Sequence, residues 1–177
     1  MPQPVYLRRI RFWLAVFIVG LVLSGITAFP LQSELDWFVS FLHKSRMQPV
    51  AESTHLLPWI ERVDQGLRAT NARYPFLAYG TDWLAFAHLV VAVAFLGPYL
   101  DPVRNRWVIS FGLIACAGVI PLALIAGPIR GIPLGWRLID CSFGVVGSIP
   151  LLICRRLIIE LEKIEKDSLA AEQSFEP

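Results

Sequence analysis

Five ionisable residues lie within or beside stretches of the sequence that are otherwise strongly apolar. They are Asp82, His88, Arg130, Arg137 and Asp140. An ionisable side chain inside hydrocarbon costs roughly 2.5–3.5 kcal/mol, so such a residue needs a partner or a function. We expect these five to form a polar cluster in the outer half of a membrane-embedded bundle. Proton or ion movement through four of them, Asp82, His88, Arg137 and Asp140, is the weakest of three functional hypotheses.

His88 is the most informative of these residues, because an imidazole can ligate the metal of haem or (bacterio)chlorophyll or hydrogen-bond a quinone carbonyl. The other two histidines, His43 and His55, belong to a different segment and have no partner at helical spacing. A bis-histidine haem within this chain is therefore not expected. The structural alternative for His88 is a hydrogen bond to a neighbouring helix.

The acidic residues also have structural interpretations. Asp82 can cap the N-terminus of a helix, where the helix dipole favours a negative charge. Asp140 follows Arg137 at a spacing of three, which allows an ion pair on one helix face.

The sequence contains no pattern typical of an enzyme or a metal site. Cys116, Cys141 and Cys154 are scattered and have no metal-ligand spacing, so packing as small apolar residues is their expected role. No serine has a base at a recognisable spacing, and no carboxylates are paired for acid–base work. We therefore expect a non-catalytic protein without a metal site.

The composition indicates the environment in which these residues lie. The 177-residue chain is 55% hydrophobic and only 17% charged, against about 25% charged residues in soluble domains. This composition excludes a disordered chain and almost any water-soluble fold. The formal net charge of +2 is too small to imply a nucleic-acid partner, so the lipid bilayer is the predicted surrounding.

A helix that crosses about 30 Å of hydrocarbon needs roughly 20 mainly apolar residues. Four stretches meet this requirement, at residues 12–30, 81–100, 107–127 and 137–154. The predicted fold is therefore all-α, an integral membrane four-helix bundle. The other predicted segments are a cytoplasmic N-terminus (1–11), an outer segment (31–80), a cytoplasmic turn (101–106), an outer loop (128–136) and a cytoplasmic helix and tail (155–177). A cleaved signal peptide is a weaker interpretation of the first stretch, because Ile26 stands where a small residue should precede the cut.

Basic residues next to the spans predict the orientation, because cytoplasmic flanks carry the excess of Lys and Arg. On the predicted outer side only Arg130 and Arg137 flank the spans, with Arg73 farther out. We therefore expect a multi-pass protein of the cell inner membrane with both termini cytoplasmic. The basic residues on the predicted cytoplasmic side are Arg8, Arg9, Arg11, Arg104, Arg106, Arg155 and Arg156.

The outer segment is predicted to contain two short amphipathic helices. Ser33 is the expected N-cap of the first, with Asp36 at its third position, and the Met47 region separates the two helices. The second helix places Leu56, Ile60, Val63 and Leu67 on one face. After Arg156 the fourth span is expected to continue as a short cytoplasmic amphipathic helix.

Small residues spaced four apart predict close contacts between helices. Three such pairs occur: Ser24 with Ala28, Gly112 with Cys116, and Gly144 with Ser148.

Four motifs stand out in the last two thirds of the chain: YGTDWLAFAH at 79–88, DPVRN at 101–105, RGIP at 130–133 and WRLIDC at 136–141. With these motifs the chain resembles small bacterial multi-pass inner-membrane proteins of unassigned function. The resemblance implies the four-helix membrane fold, and it supplies no activity for any residue.

The leading functional hypothesis is an accessory or structural subunit of a larger membrane complex, of a respiratory or photosynthetic kind, with other membrane subunits as partners. The alternative is a small membrane module that binds haem, a quinone or a pigment through His88.

Overall fold

Every regular element of the described chain is helical. The computed structural model describes residues 3–173, so the outermost residues of the two predicted cytoplasmic termini lie outside the described part. A 3-10 turn over Pro75–Ala78 leads into the fifth helix. The α-helices are α1 (Gln3–Ala28), α2 (Leu31–Lys44), α3 (Gln48–Ser53), α4 (Leu56–Arg73), α5 (Tyr79–Ala94), α6 (Leu96–Leu100), α7 (Arg106–Ile129) and α8 (Leu134–Gln173).

The prediction of an all-α fold with four long apolar helices is confirmed. Four helical stretches are long and apolar enough to cross a membrane: Pro4–Ala28, Pro75–Leu100, Arg106–Ile129 and Leu134–Ser168. Only 17% to 28% of the most apolar part of each stretch is buried inside the protein. Most of the apolar surface of these helices therefore faces outwards.

The second of these stretches contains a break between α5 and α6, centred on Phe95. Pro98 has no backbone N–H, so the carbonyl of Ala94 lacks its usual donor four residues later. The Phe95 side chain is fully buried, and its ring lies 4.7 Å from the Phe17 ring, measured between centroids. The break therefore directs an aromatic side chain from α5–α6 towards α1.

Helix α1 lies between α5 and α8 and packs against both, while α8 also packs along α7. The short α6 contacts α1 and α7. Helices α5 and α8 make no extensive contact with each other within the described residues. The main core joins α1, the α5–α6 break, α7 and α8, and its fully buried side chains include Ile10, Leu14, Phe95, Ile109, Leu151 and Ile158.

Helices α2, α3 and α4 form a second, smaller unit, which we call the cap. Its core consists of Leu42, Ala51, Leu57 and Ile60, and Trp136 of α8 packs against it. The sequence predicts two helices here, whereas the structure has a third, α3, in the region predicted to separate them.

Helix α2 begins differently from the prediction. It starts at Leu31 after Pro30, and no side chain caps it. Ser33 therefore lies inside the first turn instead of at the N-cap. The Asp36 carboxylate accepts a hydrogen bond from Arg68 of α4, so its partner is another helix and not its own N-terminus.

Two tight turns connect the long helices. At the end of α7, Gly131 adopts a left-handed φ of 69°, and the N–H of Ile132 donates to the carbonyl of Gly127 at 2.9 Å. This glycine-terminated helix end favours glycine, because a Cβ is strained at such a φ. In the α6–α7 turn, the Asn105 amide donates to the carbonyls of Gly97 and Asp101 at 3.2 and 2.9 Å.

Candidate functional site

Asp82 lies in the first turn of α5, and the N-cap position is occupied by Ala78. No side chain caps this helix, because the chain is already helical in the preceding 3-10 turn. The carboxylate of Asp82 is half-buried. It keeps the favourable position near the positive end of the helix dipole but does not act as the predicted cap.

His88 lies on the inward face of α5. Ala85 and Ala92, three residues before it and four after it, are buried, while His88 itself is half-buried. Its Nδ1 lies 2.8 Å from the carbonyl oxygen of Leu84. A carbonyl only accepts hydrogen bonds, so Nδ1 carries the proton and donates. The lone pair of a neutral His88 is therefore on Nε2, the atom that would ligate a metal or accept a hydrogen bond.

Arg137, in the first turns of α8, lies across α7 at Gly127. A Cβ built on Gly127 would come 2.7 Å from Cγ of Arg137, so the aliphatic part of the arginine fills the space left by this glycine. Nε of Arg137 is buried and has no hydrogen-bond partner among the described residues. No ion pair joins Arg137 to Asp140 within residues 3–173. The spacing permits that pair, but the side chain follows the groove at Gly127 instead.

The structure does not join the five predicted cluster residues to one another. Asp82 and His88 are on α5, whereas Arg137 and Asp140 are on α8, and α1 lies between these two helices. Arg130 is exposed at the C-terminal end of α7. Among the side chains that the structure describes, no hydrogen bond or ion pair connects any two of the five. Likewise, no group of three or more metal-ligating side chains lies in the described chain.

The small residues on α7 and α8 lie at close helix contacts. A Cβ on Gly144 would collide with the backbone carbonyl of Cys116. A Cβ on Gly112 would come 2.6 Å from the Phe95 ring and 2.7 Å from a methyl group of Leu151. Ser148 is half-buried and bonds to the Val145 carbonyl of its own helix at 2.7 Å. These contacts bring α7 and α8 together along their length.

On α1 the close contact uses a residue that the spacing argument missed. A Cβ on Gly25 would come 2.9 Å from the carbonyl oxygen of Ala85 and 3.0 Å from Leu89 of α5. Ser24 is exposed and Ala28 is half-buried. The glycine itself was the signal for this contact, but its helix face can be chosen only when the position of α5 is known.

The polar residues of the cap fasten α2 to α4. Arg68 forms ion pairs with Asp64 at 3.0 Å and with Asp36, and His43 Nε2 lies 2.8 Å from the Glu61 carboxylate. The hydrogen bond to Asp64 and the charges of both carboxylates raise the pKa of Arg68 above its ordinary value. These contacts hold the cap together, and none of them forms a site open to a ligand.

At the opposite end of the molecule, polar contacts join α6 to α1 and the start of α7 to α8. Arg106 donates to both oxygens of Glu162 at 2.9 and 2.8 Å. Nε of Arg11 donates to the carbonyl of Tyr99 at 3.2 Å. We call this the basic end, defined by Arg8, Arg9, Arg11, Arg104, Arg106, Arg155 and Arg156.

No protein-family model, curated protein or solved structure matches the chain.

Proposed function

We propose that the protein is a non-catalytic multi-pass protein of the inner membrane that serves as an accessory subunit of a larger membrane complex. The observation that carries the proposal is the outward apolar surface of all four long helices. On α7, for example, Ile114 is 72% exposed and Ile125 is 65% exposed. Soluble monomers rarely expose contiguous apolar patches larger than a few hundred Å², so hydrocarbon is the solvent that fits this surface.

The orientation follows from the two ends of the molecule. Seven arginines beside the long helices define the basic end. At the other end of α1, where the cap lies, only Arg130 and Arg137 flank the long helices, with Arg73 farther out. The excess of Lys and Arg marks the cytoplasmic side, so the basic end is cytoplasmic and the cap is outside. Both chain termini are then cytoplasmic, because α1 begins and α8 ends at the basic end.

The accessory role is supported by a small-residue face on α1 that contacts no other helix among the described residues. Gly20 and Ser24 are exposed, and a Cβ on Gly20 would have no atom within 4 Å. The residues are four apart, so they share one helix face. Helices in lipid associate through small residues that allow backbones to approach closely. This face therefore fits a transmembrane helix of another subunit.

Purification of the protein from its native membranes in a mild detergent tests this role. We expect membrane subunits to co-purify with the wild type and to be lost from Gly20→Leu, whose Cβ meets no other atom within 4 Å. Val19→Phe is the matched control, since Val19 is also exposed but lies about 100° around the helix. A partner-free, monodisperse wild type contradicts the proposal, as do partners that stay bound to Gly20→Leu.

A second candidate function is the binding of haem, a quinone or a (bacterio)chlorophyll at His88. The observation that favours it is the hydrogen bond from Nδ1 to the Leu84 carbonyl, because such a bond orients the ring and leaves the lone pair of Nε2 available to the metal of haem or (bacterio)chlorophyll. A quinone carbonyl only accepts hydrogen bonds, so it would bind to a His88 that is protonated on both nitrogens. Ala85 and Ala92, on the same face of α5, have short side chains, so little side-chain volume lies beside the His88 ring. His88 would be the axial ligand of the metal or, when both ring nitrogens are protonated, the hydrogen-bond donor to a quinone carbonyl.

An absorption spectrum and a quinone extraction of the natively purified protein test the second candidate. We expect a cofactor that is lost in His88→Ala and retained in His55→Ala, the control in the cap. A colourless preparation without quinone removes this candidate and leaves the accessory role untouched.

A further inference from the structure

A cavity opens at the basic end, between the first turns of α1 and the end of α6. Its volume is about 470 Å³. It is lined by the polar residues Arg8, Arg11 and Tyr99 and by the apolar residues Pro4, Leu7, Phe12 and Ala15. The cavity therefore combines two positive charges with an apolar wall.

The two arginines are held on one face of α1. They are three residues apart, which is about 4.5 Å along a helix. Nε of Arg11 donates to the Tyr99 carbonyl, one of the last carbonyls of α6, which have no donor within their own helix. This bond fixes the guanidinium at the cavity wall and leaves its two Nη groups without a hydrogen-bond partner among the described residues. No ion pair to a described carboxylate involves Arg8 or Arg11.

The cavity lies where the charged start of α1 meets its uncharged run, and this position indicates which kind of ligand fits it. Arg11 is the last charged residue before the uncharged run that begins at Phe12, and the Phe12 side chain is 60% exposed. In the proposed orientation this boundary lies at the level of the lipid headgroups. A phosphate beside the arginines would then be joined to an acyl chain along Phe12 and Ala15.

We propose that this cavity binds one anionic phospholipid of the cytoplasmic leaflet, with its phosphate held by Arg8 and Arg11. Arginine recognises phosphate through paired N–H donors, and basic pockets between membrane helices on the cytoplasmic side bind anionic headgroups. A zwitterionic lipid such as phosphatidylcholine also carries a phosphate, but it adds a cationic group that the two arginines repel. The inference rests on the proposed membrane insertion and names a lipid partner for it.

Native mass spectrometry of the detergent-purified protein tests the site, with phosphatidylglycerol and phosphatidylcholine of identical acyl chains as probes. We expect one phosphatidylglycerol to bind more tightly than phosphatidylcholine. Arg8→Gln and Arg11→Gln should each weaken its binding by about fivefold. Arg9→Gln is the matched control, because Arg9 is an exposed neighbour that is not part of the cavity wall, and its binding should equal that of the wild type.

Equal weakening in all three glutamine variants overturns the site, because it indicates unspecific attraction to positive charge. No weakening in any variant also overturns it. Displacement of the lipid by an equal concentration of inorganic phosphate contradicts the role of the apolar wall. Carbonate extraction of the same membranes separates the two proposals: a chain that leaves the membrane contradicts the proposed function, whereas an integrated chain with unchanged lipid binding contradicts only this site.

Discussion

Glycine residues decide how closely the long helices approach. The absent side chain of Gly144 allows α8 to lie directly against the Cys116 carbonyl of α7, and Gly25 does the same between α1 and α5. By contrast, a Cβ on Gly118 of α7 would meet no atom within 4 Å. The same residue type therefore has different roles, which depend on the partner surface.

We predict that two glycine-to-alanine substitutions change the free energy of unfolding differently. Gly144→Ala should lower the free energy of unfolding by about 1–3 kcal/mol, because the new methyl group forces α7 and α8 apart. Gly118→Ala should leave it unchanged or raise it by about 0.5–1 kcal/mol, because alanine is the better helix former. Titration of the detergent-solubilised protein with SDS, followed by circular dichroism, measures both. An equal loss in the two variants contradicts the close contact at Gly144.

The spacing of small residues in the sequence does not determine which of them contact another helix. The four-residue spacing of Gly144 and Ser148 selects small residues on α8, but the same rule selects Ser24 on α1, where the contact is made by Gly25. A spacing defines a face of a helix, and only the partner helix determines whether that face is used. The side chain of Arg137 illustrates the same limit, since it follows the groove at Gly127 instead of turning to Asp140.

At the scale of elements, the long apolar helices were predictable because hydrocarbon length requires long uncharged runs. Their details depend on local chemistry that the runs do not reveal. The break after α5 follows from Pro98, which removes a backbone donor, and the start of α2 at Leu31 follows from the turn at Pro30. In the cap, amphipathic periodicity predicted helices but not that α3 would complete their shared core.

Within the cap, ion pairs join α2 to α4, and Arg68 takes part in two of the cap's ion pairs. We predict that Arg68→Ala increases amide hydrogen exchange in α2, because Asp36 loses its partner on α4. Arg62→Ala is the control, since Arg62 is exposed on α4 and forms no ion pair with a described side chain. Exchange followed by mass spectrometry measures the effect, and identical exchange of α2 in both variants contradicts the role of Arg68.

At the scale of the whole molecule, polarity divides the protein into three zones along α1. The basic end carries seven of the thirteen arginines, the middle exposes apolar side chains on all four long helices, and the cap buries its own small core. A bilayer matches this order, with anionic headgroups at one end and water around the cap.

Cysteine labelling in intact cells tests the four-span topology most directly. In a background without Cys116, Cys141 and Cys154, a membrane-impermeant maleimide should label Arg62→Cys in the cap from outside. It should label Arg104→Cys in the α6–α7 turn and Lys166→Cys on α8 only after the membrane is permeabilised. Labelling of Lys166→Cys from outside would contradict four spans with both termini in the cytoplasm. Labelling of Arg104→Cys and Lys166→Cys from opposite sides of the membrane would contradict them as well.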